Sequence, residues 1–279
     1  MGSECFEVSE SDKVAHLVLN RPDELNTMTP GFWRELPLLV DEISDRGTAR
    51  ALVVSSTGKH FSAGMDISVF TDGDLNDGPE LEVGRARANF RYNVLHLQET
   101  FTAFERARMP VLAAMQGGVV GGAVDMVTAC DLRYASADAW FCVHEINIGM
   151  TADVGTLQRL PKLIPEGIAR ELAYTGDRMT AERAKDVGLV NEVYDDHQSL
   201  LDGVLDIAQR IASRSPLAVH GTKEMLNYSR DHSTSDALLY MAAWQSGMFQ
   251  PTDIIESFGA QMEKREPVYD DLPEIRRGL

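Results

Sequence analysis

The sequence predicts an α/β fold, with a strand-and-helix core to about residue 200 and a helical C-terminal part after it. Three observations carry this. Short apolar runs of buried-strand type, such as "ARALVVSS" and "VLAAMQG", alternate with helical patterns, which implies crossover connections and parallel pairing. Two such runs lead into glycine-bearing turns that open helices. From Pro165 onward the signals are mainly helical. The implied organisation is a core over residues 1–200 and a helical region over 201–279, with no Pro-rich or Ser-rich linker, low complexity or repeat.

Taken in order, "VAHLVLN" (Val14 to Asn20) alternates and reads as a strand, and the turn-rich "RPDELNTM" follows it. Thr29 suits an N-cap with Pro30 at the first helical position. Ala49 to Ser56 is a short buried-strand run, followed by the turn "TGKHFSAGMDI". Residues 72–84 are acidic and Gly-rich and read as an exposed loop. A long helical pattern then covers about 85–107 and stops before Pro110. "VLAAMQG" is a strand, "GGAVDMVTACD" begins a helix after its glycines, and "LRYASADAWFCV" supplies two short strands. "TAERAKDVG" is a capped helix closing on Gly188.

Composition narrows the function classes. A net charge of −17 argues against nucleic acid or an anionic membrane as partner, because both are repelled at long range. An anionic ligand has to be caught by local cations. Cys5, Cys130 and Cys142 form neither a disulfide framework nor a zinc spacing, which suits a reducing cytoplasm. The N-terminus lacks the apolar core of a signal peptide, and "RRGL" is not a peroxisomal address. Val111 to Cys130 is long and mostly apolar, but it carries Gln116, Asp125 and four glycines, so it reads as strand, turn and helix rather than a membrane span.

The turns "SAGMDI" and "QGGVVGGAVD" each leave backbone N–H groups free at a helix start. Side by side they would aim two donors at one point, which builds an oxyanion hole without side chains. Either turn alone also satisfies an ordinary tight bend. Neither is a Walker A loop or a dinucleotide fingerprint. His60 and His144 lack the cluster a metal would need. Met115, Met126 and Met150 suit a core or an acyl pocket.

The segments "GKHFSAGMDI", "GGVVGGAVDMVTACDLRYASADAWF", "HEINIGMTADVGTLQRLP" and "SRDHS" resemble the crotonase (enoyl-CoA hydratase/isomerase) superfamily over about residues 6–265. Within it they are most similar to Δ3,5-Δ2,4-dienoyl-CoA isomerases. The resemblance implies a spiral of ββα units with a helical C-terminal trimerisation region. It also implies an acyl-CoA substrate, with coenzyme A as part of that substrate and no separate cofactor or metal, and a homotrimer or homohexamer. The backbone N–H groups of Met65 and Gly122 would hold the thioester oxygen. Asp125, Glu145 and Asp153 would be the catalytic acids. Arg21, Lys59, Ala63, Asp66, Ile67 and Lys264 would contact coenzyme A, with Lys264 supplied from a C-terminal helix, often a neighbour's.

The chemistry asks for these acids. Deprotonating C2 of a 3,5-dienoyl thioester spreads charge over the oxygen, C2, C4 and C6, and reprotonation at C6 yields the 2,4-diene. C2 and C6 lie about 5 Å apart from ordinary bond geometry, so a second carboxyl is required at the far end. Glu145 matches the family position beside C2, and Asp153, eight residues on, would face C6. The hydratase branch has glutamate at the position of Asp125 and a Gly/Pro-rich turn in place of "TADVGT", so 2-enoyl-CoA hydration is the weaker alternative. A non-catalytic acyl-CoA-binding protein is the alternative of another class.

Overall fold

The computed structural model describes residues 3–71 and 82–276. The acidic loop expected over 72–84 therefore lies almost wholly outside the described residues. The chain begins with an antiparallel hairpin, β1 (Phe6–Ser11) and β2 (Val14–Leu19), with Phe6 opposite Leu19. α1 (Pro30–Arg46) starts as expected, with Thr29 Oγ1 accepting the Phe32 N–H and Pro30 in the first turn. β3 (Ala51–Ser56) is buried along its whole length. α2 (Ser68–Thr71) is a single turn, and α3 (Val83–Arg106) is capped by the Glu82 carboxylate on the N–H groups of Gly84 and Arg85.

Next come β4 (Val111–Met115), β5 (Gly118–Val120) and α4 (Gly122–Thr128), then β6 (Leu132–Ser136) and β7 (Trp140–Cys142). The Val111–Cys130 segment thus folds as strand, strand and helix, and no helix among the described residues is long and apolar enough to cross a membrane. α5 (Thr156–Leu163) and α6 (Glu166–Thr175) lead to β8 (Met179–Thr180) and α7 (Ala181–Asp186). Thr180 caps α7, and Gly188 follows its end at φ 87°. β9 (Glu192–Tyr194), α8 (His197–Ala212), α9 (Pro216–Asp231), α10 (Thr234–Met248) and α11 (Pro251–Glu263) complete the chain.

A six-stranded sheet runs β1-β2-β3-β4-β6-β9 and is parallel from β2 onward; a small sheet runs β5-β7-β8. β4 and β6 each supply the large sheet, and the strand after each supplies the small one before the chain turns helical. This is the ββα repeat, and it stacks the two glycine turns in register: Met28 bridges Met65, and Ser62 bridges Val119. The main core fills the space between the sheets, α1, α3 and α4. The other face of the large sheet presents Ala51, Val53 and Leu112 to Leu200, Val204 and Ala208 of α8. Because successive side chains of a strand point to opposite faces, Leu52 and Val54 join the first core while Ala51 and Val53 join the second. α8 begins at His197 and runs across residue 200, so this first C-terminal helix packs as a cover for the core sheet.

β1 was not anticipated, since only Phe6 of its six residues is buried and no alternation marks it. It is an acidic edge strand held by backbone pairing, and its charges guard the exposed edge.

Candidate active site

The first glycine turn leaves β3 through Ser62, whose hydroxyl donates to Asn26 O at 2.8 Å and accepts the Gly64 N–H at 3.1 Å. Gly64 has φ 85°, and a Cβ there would stand 2.6 Å from Val120 O and 3.3 Å from Gly122 N. Only glycine lets the two turns approach this closely. In the second turn Gly121 has φ 53° and passes its N–H to Cys142 O at 2.9 Å. Among the described residues neither the Met65 N–H nor the Gly122 N–H has a backbone partner. Gly122 is the first residue of α4, where an N–H has no helical acceptor, so this pair of donors is a product of backbone geometry.

Both turns open on one cavity of ≈ 400 Å³, and Asp125, Glu145 and Asp153 line it too. Its apolar wall includes Trp33 and Met150, whereas Met115 and Met126 are core residues. Trp33 is clamped by its Nε1–H on Met28 O at 3.2 Å and by the Phe101 ring at 5.2 Å between centroids. Trp33 was missed in the sequence because α1 reads as an ordinary amphipathic helix.

Asp125 sits in the first turn of α4 and is 1% exposed. Its Oδ1 accepts the Thr156 N–H at 2.5 Å, while Oδ2 is buried without a partner. Asp125 thereby caps α5 from another helix. The segment around Asp153 contributes no side-chain cap, and the N-cap position is Gly155. Glu145 begins a 3-10 turn, Glu145–Ile148, closed by Gly149 at φ 76° and by the Met150 N–H on Glu145 O at 2.9 Å. Its Oε1 would lie 3.3 Å from a Cβ on Gly121, which places the carboxyl against the second oxyanion turn. Its Oε2 is buried and unpartnered. The backbone of Asp153 is fixed by Gln98 Nε2, which donates to Asp153 O at 2.7 Å.

The electrostatics follow from three acids in a half-dry cavity. Burial pushes Asp125 up to about 6, against the lowering effect of the Thr156 N–H and with added repulsion from Asp153. Burial, then the Asp125 charge, pushes Glu145 up to about 7. Burial also raises Asp153. Like charges that share a low-dielectric space titrate as a set, and the protonated form of one is accessible at neutral pH.

Of the other residues singled out from sequence, Ala63 and Ile67 line the same cavity. Asp66 stands just outside it, its carboxylate taken by Thr27 Oγ1 at 2.6 Å and Ser68 Oγ at 2.6 Å, bonds that hold it below the usual carboxylate range. Arg21 lies next to this knot, with Nη1 on Thr27 O at 3.0 Å. Lys59 is exposed on the turn leading to the cavity. Lys264 is the C-cap of α11 and, within the described residues of one chain, is not part of the cavity wall. His60 is structural: Nδ1 accepts the Gly118 N–H at 2.8 Å.

The chain matches the family model for enoyl-CoA hydratase/isomerase over residues 9–272. It is 43% identical to the mitochondrial Δ3,5-Δ2,4-dienoyl-CoA isomerase of Rattus norvegicus, covering 94% of this chain and 81% of the relative. It is 38% identical to the peroxisomal Δ3,5-Δ2,4-dienoyl-CoA isomerase of Arabidopsis thaliana, covering 96% and 97%. A crystal structure of an enoyl-CoA hydratase from Bacillus anthracis superposes with a TM-score of 0.85 at 28% identity, covering 95% and 99%. These names overturn the expected cytoplasmic location, since the relatives are mitochondrial or peroxisomal proteins. The expectation failed because unpaired cysteines report a reducing milieu and not an address. The matched model, the full-length relatives and the shared architecture agree: this chain belongs to the enoyl-CoA hydratase/isomerase family.

Proposed function

We propose that the chain is a Δ3,5-Δ2,4-dienoyl-CoA isomerase acting in the degradation of unsaturated fatty acids. The observation that carries this is a third carboxyl, Asp153, lining the cavity that already holds Glu145, Asp125 and the two oxyanion turns. In this reading the thioester oxygen sits between the Met65 and Gly122 N–H groups. Glu145, as carboxylate, takes the C2 proton. The charge spreads to the oxygen, C2, C4 and C6, and Asp153, as carboxylic acid, delivers a proton to C6. One proton has left and one has arrived, so proton transfer is the whole reaction and coenzyme A serves only as the substrate's handle.

Each of these steps has a physical basis. An enolate oxygen held by a preorganised donor gains about 3–4 kcal/mol per donor in the transition state. An acid and a base working at neutral pH need raised carboxyl pKa values, as burial supplies here. Asp125 keeps Glu145 from ionising too readily and anchors α5 behind Asp153. Arg21 and Lys59 would meet the coenzyme A phosphates at the cavity mouth, working locally against a net charge of −17.

A homotrimer or homohexamer fits the C-terminal helices. α10 buries none of its side chains within one chain, and Leu238, Leu239, Ile255 and Phe258 stand exposed. Apolar surface on that scale marks an interface. Lys264 of a neighbouring copy would then complete the nucleotide site. Light scattering on the eluting protein is expected to give three or six chains, and a monomer would refute this.

Activity is tested by incubating the pure protein with 3,5-octadienoyl-CoA and following the absorbance of the 2,4-dienoyl thioester, with crotonyl-CoA in parallel. Rapid dienoyl conversion is expected. Hydration of crotonyl-CoA without dienoyl conversion would select the hydratase reading, and silence with both would select a binding protein.

A further inference from the structure

The "SRDHS" segment lies at the end of α9, 77 positions after Asp153 if counted from Arg230, and plays no part in the cavity wall. Its Arg230 donates through Nη1 to Glu105 Oε1 at 2.5 Å. Glu105, at the end of α3, is gripped from the other side by Arg159 of α5, with Nη2 on Oε2 at 2.9 Å and Nε on Oε1 at 3.2 Å. Arg159 in turn donates through Nη1 to Val154 O at 3.3 Å and through Nη2 to Thr102 Oγ1 at 3.2 Å. Its guanidinium also lies against Gly155, where φ is 133° and a Cβ would fall 1.8 Å from Nη1.

We infer that Arg159, held by Glu105 and Arg230, is a positioning residue for the Asp153 carboxyl. Residues 153–155 have no regular structure of their own, and the backbone from there into the first residue of α5 is tied at three points: Asp153 O by Gln98, Val154 O by Arg159, and the Thr156 N–H by Asp125. Gln98, Thr102 and Glu105 fall at i, i+4 and i+7 on one face of α3, so a single rigid helix presents all the anchors. Val154 lines the active cavity and also a second, polar cavity of ≈ 330 Å³ that holds Arg159, Glu105 and Arg230. The wall that carries Asp153 is therefore one segment thick, and the ion-pair chain stands directly behind it. Burial works against the charge on Glu105, yet the two guanidiniums outweigh it and hold its pKa below the usual value, so its carboxylate stays ionised at neutral pH. Arg159 uses its fork twice, on a carboxylate and on a carbonyl, and a lysine cannot reproduce that.

This inference rests on Asp153 being the distal proton-transfer group. The test measures kcat and KM on 3,5-octadienoyl-CoA for Arg159→Met, Arg230→Met, Arg230→Lys, Gln98→Met and Asp153→Asn, with far-UV circular dichroism on each. A shift of about 1 Å at a reacting group costs up to roughly 10²-fold, so Arg159→Met is expected to lose kcat on that order with KM within about threefold. Arg230→Met is expected to lose roughly tenfold, and Arg230→Lys to recover most of it, because a point charge suffices on one carboxylate oxygen. Should Arg159→Met fail to fold, Arg230→Met and Gln98→Met carry the result. Folded variants with unaltered kcat, or a rise in KM alone, would overturn the positioning role. Asp153→Asn at wild-type kcat would instead refute the functional reading beneath it.

Discussion

Replacing Asp125 by asparagine separates the chemical from the structural work of one buried carboxyl. In the fold its pKa rises from the ordinary 3.8 to about 6, chiefly through burial. Each unit is worth 1.36 kcal/mol, so holding this group ionised costs the fold about 3 kcal/mol above pH 7. The sign follows from proton counting. Between about pH 4 and 6 the native state binds the extra proton on Asp125, so the stability this group contributes falls as pH rises through that window, and Glu145 extends the wild-type fall to about pH 7. Asparagine removes the charge while its Oδ1 still accepts the Thr156 N–H that caps α5. The new amide takes the place of Oδ2, which has no donor in the fold and faces the Glu145 carboxyl, and burying it costs roughly 1–2 kcal/mol in desolvation. The net expectation is a gain of about 1–2 kcal/mol at pH 8 that vanishes or reverses near pH 4. Urea unfolding followed by tryptophan fluorescence at fixed protein concentration reads this directly. The same variant is expected to move the Glu145 pKa downward, because a repelling charge is gone, and with it the acid limb of the rate profile. A stability loss of equal size at both pH values would refute the reasoning, since it would mean that capping geometry, and not buried charge, dominates the site.

The remaining predictions concern catalysis more directly. Asp153→Asn is expected to abolish dienoyl conversion while leaving the fold and coenzyme A affinity intact; an unfolded protein or one blind to coenzyme A in calorimetry would show the residue to be structural. Wild-type kcat/KM is expected to be bell-shaped, rising as Glu145 ionises around pH 7 and falling at higher pH as Asp153 loses the proton it must deliver, and a flat profile from pH 5 to 8 would exclude Glu145 as the base. Gly64→Ala places a Cβ 2.6 Å from Val120 O at φ 85°, so thermal unfolding should show a loss of about 2 kcal/mol or more. The same change should cut kcat/KM by roughly 10²-fold or more through the displaced Met65 amide; full activity would place the oxyanion site elsewhere.

Much of this molecule was legible from local pattern. β3 and β4 are runs of small and branched apolar residues bounded by turns, and they fold as buried parallel strands. Thr29-Pro30 and Thr180 cap the helices they were expected to cap. The pieces that escaped notice are those stabilised mainly by their neighbours. β1 buries one side chain, and β8 and β9 are two and three residues long, too short for periodicity. Arg159 and Glu105 read as ordinary charges on helix surfaces until the fold brings them together.

The amino-acid order by itself determined the alternation of strands and helices, the two glycine turns and the three acids at positions 125, 145 and 153, because propensity, turn chemistry and spacing are properties of neighbours in the chain. What only the tertiary structure decided is the state of those acids. Asp125 caps a helix 31 positions away, Glu145 is raised by its charge and by side-chain contact with it, the Asp153 carbonyl is held by Gln98 of α3, and the neighbouring Val154 carbonyl is held by an ion-pair chain from α3, α5 and α9. A carboxyl's pKa depends on the water it loses and the charges it faces through space, and neither exists until the fold has closed around it.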